Sequence, residues 1–342
     1  MSRRPSRLDE DDVRVRPSRG KSRPRSKVRP DHGQAVPGFV AAVDRGRFTV
    51  HVDAGDESPR FLFAVKAREL GRKGIVVGDH VLLVGDLGGG PDALARIVRR
   101  EPRRTALRRS ADDTDDTERV IVANADQLAV VVALADPEPR TRLIDRALVA
   151  AFEAGLEPLL VLTKSDLAPP DDLVSTYATL GVGHVVTQRG QDLTALMARL
   201  RDRETVLLGH SGVGKSTLVN ALVPEAERAT GHVNAVTGRG RHTSTSAVAL
   251  RLPGGGWVVD TPGIRTFGLA HVDLGRFMRA FPDLEPGTAQ CPRGCTHEVP
   301  AVDLDRKTEH CALDDWVATG HAEPQRLHSL RRLLASRSAD DD

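Results

Sequence analysis

A chain of 342 residues with 39% hydrophobic and 28% charged content is long enough for two or three domains with their own cores, and its composition suits a soluble globular protein. No apolar run approaches the roughly 20 residues of a membrane helix, and the amino-terminal Met1-Ser-Arg-Arg-Pro-Ser-Arg7 has no apolar stretch behind it, which argues against a membrane span and a secretory signal. The net charge of +2 conceals strong patterning, and the three cysteines all fall between Cys291 and Cys311, which suits a reducing cytosol and a local metal site better than disulfides.

Residues 1–34 read as a disordered tail. From Arg14 to Arg29 there are eight basic residues and no acid, a composition that favours a polyanion such as RNA. From Val36 onward short alternating segments follow: Phe39–Val43, Arg47–Val52, Phe61–Val65, Val81–Val84 and Leu94–Val98. Turn signals such as Asp44-Arg-Gly46 separate them, so the spacing predicts a five-stranded barrel of the oligonucleotide-binding (OB-fold) class over 35–105. A second basic cluster, Arg96, Arg99, Arg100, Arg103, Arg104, Arg108 and Arg109, is expected to flank one edge of that barrel. Aromatic residues are sparse at 3%, so base stacking is not expected to be the main binding mode. Phe61 and Phe63 share a strand face and are expected in the barrel core.

Asp112–Glu118 is acidic without apolar residues and reads as a mobile part of a 101–119 linker. The continuous apolar run Gln127–Ala133 then predicts a strand buried on both faces, and Thr141–Ala154 has helical spacing. Strand and helix alternate to about 269, which implies a mostly parallel sheet covered on both sides.

Three motifs follow short apolar runs and so sit at the carboxyl ends of predicted strands, where open α/β sheets bind ligands. Thr163-Lys164-Ser165-Asp166 resembles a guanine-recognition turn, because an aspartate there can accept hydrogen bonds from guanine N1–H and the 2-amino group. Thr163 stands where Asn is usual, which predicts the loss of one amide contact and weaker nucleotide binding. Thr187–Leu193 only loosely matches a segment that would back the base. Gly209-His210-Ser211-Gly212-Val213-Gly214-Lys215-Ser216 is a phosphate-binding loop, with Lys215 for the β/γ-phosphates and Ser216 for Mg²⁺, and Thr217 opens the helix behind it. Asp260-Thr-Pro-Gly263 follows a buried strand as a metal-side switch motif should, but Ile264 occupies the place of a common water-orienting Gln. The stretch 238–245 between these motifs offers Thr243 or Thr245 as a second metal ligand and His242 as a water-positioning group.

The base-reading motif precedes the phosphate loop, the reverse of the usual order, so the domain reads as circularly permuted. Further on, Cys291, Cys295 and His297, then thirteen residues, then Cys311, supply a Cys₃His zinc set, with His310 as a competing ligand. Arg326–Ala335 has an amphipathic helical pattern.

This succession of barrel, permuted motifs and Cys₃His module resembles the ribosome small subunit-dependent GTPase family (RsgA, also called YjeQ or EngC). The resemblance rests on Val77-Gly-Asp79, Asn124-Ala-Asp126, the phosphate loop, Arg241-His-Thr243, Asp260–Gly263 and Cys291 to Cys311. The gap before Cys311 is longer than is usual in the family. The fold expected is multidomain: a basic tail (1–34), an OB-fold RNA-binding barrel (35–105), a circularly permuted α/β P-loop GTPase domain (106–270) and a helical zinc-binding module (271–342). The resemblance implies a cytoplasmic GTP hydrolase, monomeric and with no membrane partner. It would use Mg²⁺ with GTP and one structural Zn²⁺, bind GTP/GDP, the small ribosomal subunit and its rRNA, and assist late maturation of the subunit. The alternative is an RNA-binding assembly factor that carries GTP with little or no catalytic role.

Overall fold

The computed structural model describes residues 33–53, 60–71, 74–88, 93–110, 118–224, 247–261, 273–298 and 311–338. They fall into two compact units, one made of the described residues up to Asn124 together with 247–249, the other of those from 125 to 224 and from 250 onward.

In the first unit, β1 (Val36–Asp44), β2 (Arg47–Val52), β3 (Arg60–Lys66), β4 (His80–Gly85) and β5 (Ala95–Arg100) form the expected barrel in the order β1-β2-β3-β5-β4, which a β1–β4 pairing closes. The β1–β2 hairpin turns on Arg45 and Gly46, both with positive φ (44° and 87°), as a two-residue turn requires when its twist matches that of the strands. Val40, Phe48, Val50, Leu62, Ala64, Val81, Leu83, Ala95 and Ile97 fill the interior. Phe61 and Phe63 are not among them. Leu62 and Ala64 point inward instead, so period-two alternation carries both phenylalanines to the outer face, where Phe61 remains 46% exposed.

Both flanks of the acidic 112–118 segment form strands. Ala106–Ser110 (β6) pairs antiparallel with Glu118–Ala123 (β7), with Ala106 opposite Ala123, while 111–117 lie outside the described residues. The Val77–Asp79 turn meets the end of this hairpin. Ala123 N–H donates to Val77 C=O at 2.9 Å, and Asn124 Nδ2 donates to Gly78 C=O at 2.8 Å. A Cβ on Gly78 would lie 2.0 Å from Ala123 O, so only glycine fits there. Arg103 forks onto both carboxylate oxygens of the fully buried Asp79 at 2.7 and 2.9 Å. Arg100 and Arg103 donate to Gly74 C=O, and Arg104 to Asn124 C=O. Three of the seven arginines of the second basic cluster thus brace the 74–79 turn and Asn124.

The second unit contains β8 (Gln127–Ala133), α1 (Thr141–Ala154), β9 (Glu157–Thr163), α2 (Asp171–Ala178), β10 (Gly183–Val186), α3 (Thr194–Leu200), β11 (Glu204–Leu208), α4 (Lys215–Leu222) and β13 (Trp257–Asp260). Strand β12 (Val248–Arg251) leads into β13 through a turn closed by Leu252 N–H on Gly256 C=O at 3.0 Å. All seven residues of β8 are buried, as expected of a central parallel strand. The strand order is β10-β9-β8-β11-β13, with β8 parallel to both β9 and β11. The chain therefore runs outward from β8 to one side, then returns to β11 and runs outward to the other, placing a topological switch point between β8 and β11.

Behind this sheet pack α5 (Leu274–Met278), a short 3₁₀ turn (Glu285–Gln290), α6 (Ala312–Ala318) and α7 (Pro324–Ser338). Phe277 and Phe281 meet Phe152 of α1 edge-on at 6.2 and 5.9 Å between ring centroids. Arg326 of α7 forks onto Asp283 at 2.9 and 2.7 Å, donates to Thr179 C=O at 2.7 Å and lies 5.0 Å over Phe281. Arg332, one and a half turns on, lies over Tyr177 at 5.0 Å and 3.2 Å from Asp145, as an ion pair not aligned as a hydrogen bond. The terminal helix is thereby tied to α1 and to the end of α2.

Candidate nucleotide site and metal centre

The phosphate loop occupies the switch point. Strand β11 ends at Leu208, 209–214 form the turn, and α4 begins at Lys215, so its backbone N–H groups and positive dipole end face the loop. Gly212 and Gly214 hold φ of 87° and 92°, conformations that L side chains rarely adopt. Gly209 is needed for another reason: a Cβ there would lie 2.8 Å from Val131 O of β8. Val213 is buried beneath the loop, while Ser211, Gly212, Ser216 and Thr217 are exposed along it, and His210 Nδ1 lies 2.8 Å from Ser211 O.

The structure brings the other two strand-end motifs to the same edge of the sheet. Asp260 closes β13, which pairs with β11 so that Leu207 lies opposite it, and its carboxylate forms an ion pair with Lys215 Nζ. Thr261 Oγ1 donates to Leu207 C=O at 2.8 Å and fixes the exit of β13. On the far side of β8, β9 delivers 163–166. Lys164, at φ 58°, donates from Nζ to Asp136 C=O in the segment that follows β8. Ser165 N–H reaches Thr187 C=O at 3.4 Å, and Thr187 N–H donates to Leu162 C=O at 2.8 Å, so the weakly matching 187–193 segment does lie beside the base-reading turn. Asp166 is exposed.

Thr163 has a task the sequence did not disclose. Its hydroxyl, buried between strand and loop, donates to Val213 C=O at 2.6 Å, with Val132 C=O at 3.3 Å. This side chain thus ties the end of β9 to the 209–214 loop. Spacing alone could not show this, because the partner is a carbonyl in a loop distant in sequence. His242, Thr243, Thr245, Gly263 and Ile264 lie outside the described residues, as does His310.

The Cys₃His set converges. Cys291, Cys295, His297 and Cys311 present donor atoms all within 4.8 Å of one another, and the three cysteines are free thiols. His297 Nδ1 lies 3.5 Å from Cys291 Sγ, 3.5 Å from Cys295 Sγ and 3.7 Å from Cys311 Sγ, while the Sγ atoms of Cys291 and Cys311 are 3.9 Å apart. Tetrahedral bonds of about 2.3 Å to sulfur and about 2.0–2.1 Å to nitrogen give edges near these values, so the residues fit a tetrahedral metal. Burial and the neighbouring Cys311 push the Cys291 thiol up to about 11, and burial also raises Cys295. Burial and then Arg331 lower the His297 imidazole below its ordinary value, which keeps it neutral and able to ligate. Arg331 itself forks onto Asp314 at 2.7 and 2.8 Å and reaches His297 C=O at 3.3 Å, bracing the ligand turn from α7. Nothing in the sequence singled out Arg326, Arg331 or Arg332 from the other charges of an amphipathic helix.

Comparison with known proteins agrees with this assembly. The RsgA GTPase family model matches residues 100–270. The chain is 37% identical over 271 residues to the small ribosomal subunit biogenesis GTPase RsgA of Pseudomonas fluorescens, covering 77% of this chain and 75% of the relative. It is 38% identical over 272 residues to that of Azotobacter vinelandii, with the same coverage. Among solved structures, YjeQ from Thermotoga maritima superposes with a TM-score of 0.61 at 25% identity, over 90% of this chain and all of that one. YloQ, a circularly permuted GTPase, shares the fold with a TM-score of 0.60 at 21% identity, over 91% of this chain and 98% of that one. No helix among the described residues is long and apolar enough to cross a membrane. The chain belongs to the RsgA GTPase family and is a GTP hydrolase.

Proposed function

We propose that this GTPase acts in small ribosomal subunit biogenesis: it binds the subunit and its rRNA, assists late maturation, and turns over GTP faster when bound there. The observation that carries the reading is its likeness, over three quarters of both chains, to relatives named for that role. The division of labour follows the sequence: the 1–34 tail and the 35–105 barrel bind RNA, 106–270 handles GTP, and 271–342 is organised by metal. The protein works as a cytoplasmic monomer.

At the nucleotide, Asp166 reads guanine and Lys164 packs the base-reading turn against the segment that follows β8. The 209–214 backbone N–H groups and Lys215 take the phosphates. Mg²⁺, when bound with GTP, would be held by Ser216, with Asp260 and Thr243 as the further candidate ligands, and would supply charge neutralisation at the phosphates. His242 orients the attacking water, since the aliphatic Ile264 cannot. Without the subunit to fix the 238–245 stretch, turnover is slow. Cys291, Cys295, His297 and Cys311 hold one Zn²⁺ in a closed, structural site.

The decisive measurement is GTP turnover with and without purified small subunits, on wild type and on His242→Ala. The expected result is marked acceleration by subunits, most of it lost in the variant while GTP-dependent docking persists. Equal turnover with and without subunits would overturn the proposed coupling. Full stimulated turnover by the variant would move the catalytic group elsewhere.

A further inference from the structure

Two carbonyl groups of the phosphate loop are held by side chains. Thr163 Oγ1 donates to Val213 C=O at 2.6 Å, and the half-buried His210 donates from Nδ1 to Ser211 C=O at 2.8 Å. The helical ladder of α4 begins at Gly214 C=O, which accepts from Leu218 N–H at 2.9 Å. The Ser211 and Val213 carbonyls precede that ladder, so their donors come from elsewhere. The residues that follow these two carbonyls are Gly212 and Gly214, both with positive φ. Carbonyls held by side chains and left-handed glycines therefore alternate along the turn.

A trans peptide unit is planar, so its C=O and N–H point in opposite directions. Holding Ser211 C=O on the His210 side therefore sends Gly212 N–H to the other side. Turning this peptide over changes ψ of Ser211 and φ of Gly212, and a residue without Cβ takes either sign of φ at little cost. Ser211 and Gly212 are both exposed, so burial does not fix the peptide, whereas the 213–214 peptide is anchored from within by Val213 and Thr163. A peptide turned over would aim an oxygen at an incoming phosphate where a hydrogen-bond donor is needed.

We propose that His210 is a positioning residue for phosphate binding: its ring Nδ1–H holds the Ser211–Gly212 peptide with the N–H toward the phosphates before nucleotide arrives. The inference rests on the reading of 209–214 as the loop that takes the phosphates, and adds the residue that sets one of its donors. A carbonyl only accepts, so the ring nitrogen facing it carries the proton. The neutral ring is thereby fixed in its Nδ1–H form with Nε2 bare, because the bond made at one nitrogen decides which of the two is protonated. Free imidazole side chains favour the other tautomer, which gives the role a signature of its own.

The test uses the full chain and three substitutions at this position. His210→Leu keeps bulk and removes the donor, His210→Ala removes both, and His210→Asn puts an amide nitrogen near the place of Nδ1. GTP and GDP affinity should each fall at least about threefold in the leucine and alanine variants, and the asparagine variant should bind nearly as the wild type does. In wild-type protein isotope-labelled in its histidine rings, at about pH 8.5, the resonance that His210→Leu removes should show Nδ1 protonated and Nε2 bare without nucleotide. Leucine or alanine variants that bind as the wild type does, an asparagine variant as weak as the leucine one, or a ring protonated on Nε2 would each overturn the role. Lys215→Ala separates the two levels. If it binds GTP and GDP as tightly as the wild type, the phosphate-loop reading itself fails and the inference with it. If it weakens binding while His210→Leu does not, only the role of His210 fails.

Discussion

The nucleotide edge and the Cys₃His module lie in the same compact unit but hold their functional atoms by opposite means. At the nucleotide edge, position comes from the sheet. Parallel pairing of β9, β8, β11 and β13 sets three strand ends side by side, and the turns are refined by backbone hydrogen bonds and glycine conformations. In the module, four ligands come from short or irregular segments, Cys291–His297 and the N-cap of α6, where backbone pairing is sparse. Arginines of α7 supply the bracing. A site made by sheet topology tolerates loss of a side chain without loss of shape; a site made by ligands does not.

The largest expected effect tests that contrast directly. With the proposed zinc in place, Cys291→Ser should drop bound metal from one per chain to near zero and unfold the module, because structural zinc contributes on the order of 10 kcal/mol to small domains of this kind. Trp316, stacked on His321 at 4.1 Å and donating to Asp283 C=O, reports the module by fluorescence. The barrel, with its own closed ladder and core, should keep its structure by hydrogen exchange. Zinc affinity should fall as pH falls, since the raised thiols of Cys291 and Cys295 must lose protons to ligate and protons then compete with the metal. A variant that loses zinc but keeps the Trp316 signal would erase the distinction.

Next in size, Lys215→Ala should lower GTP turnover roughly 10²–10³-fold while leaving thermal stability nearly unchanged, the mirror image of the cysteine variant. Unfolding of the phosphate loop on this substitution would mean that the Lys215–Asp260 pair, and not the sheet, shapes the site.

The Arg326 clamp is an intermediate case. Arg326→Ala leaves the partly buried Asp283 without its fork, and a loss of about 2–3 kcal/mol in the stability of the α7 packing is expected. The Arg326 hydrogen bond, opposed by burial, holds the Asp283 carboxyl below its ordinary value. Its stabilisation is therefore present above the unfolded carboxylate range and is lost as pH falls through the lower folded value. Asp145 has the opposite sign: burial, set against Arg332, raises its carboxyl, so that contribution is present at low pH and lost as pH rises through the raised value. Acid titration of wild type and Arg326→Ala should converge as Asp283 is protonated. Parallel curves would show that the clamp works by packing on Phe281 alone.

How much of this was legible in the sequence divides along the same line. Elements whose position is set by periodicity were readable: Arg47–Val52, Gln127–Ala133 and Thr141–Ala154 have the bounds their patterns predict. The three strand-end motifs and the four ligands were readable because their chemistry demands particular residue types. The inward or outward sense of a strand was not. Phe61 and Phe63 mark one face of β3, but the sequence does not say which face meets the core when Leu62 and Ala64 can fill it. Nor was the partner of a charge readable: Arg103 reads as part of a polyanion-binding cluster until Asp79 is found against it. The β6–β7 hairpin was hidden because the acidic stretch between its strands dominates the local composition.

Thr163 gives the smallest and most discriminating prediction. From sequence it is a lost amide; in the structure it is a tether, donating at 2.6 Å to a carbonyl of the phosphate loop. Thr163→Val keeps the shape and removes the donor, leaving the Val213 carbonyl without that bond in a buried setting. Such a loss is worth on the order of 1 kcal/mol, which is about fivefold in affinity. GTP and GDP binding should weaken together, because the tether holds the loop proposed to take the phosphates common to both, and guanine selectivity over adenine should be unchanged, because the proposed base-reading Asp166 is untouched. Thr163→Ser, which retains the hydroxyl, should bind nearly as the wild type does. Selectivity loss in Thr163→Val would return the residue to the base-reading role its place in the motif suggests. Equal affinity in all three proteins would show that sheet pairing alone positions the loop, and so extend the contrast with the metal-organised module to its limit.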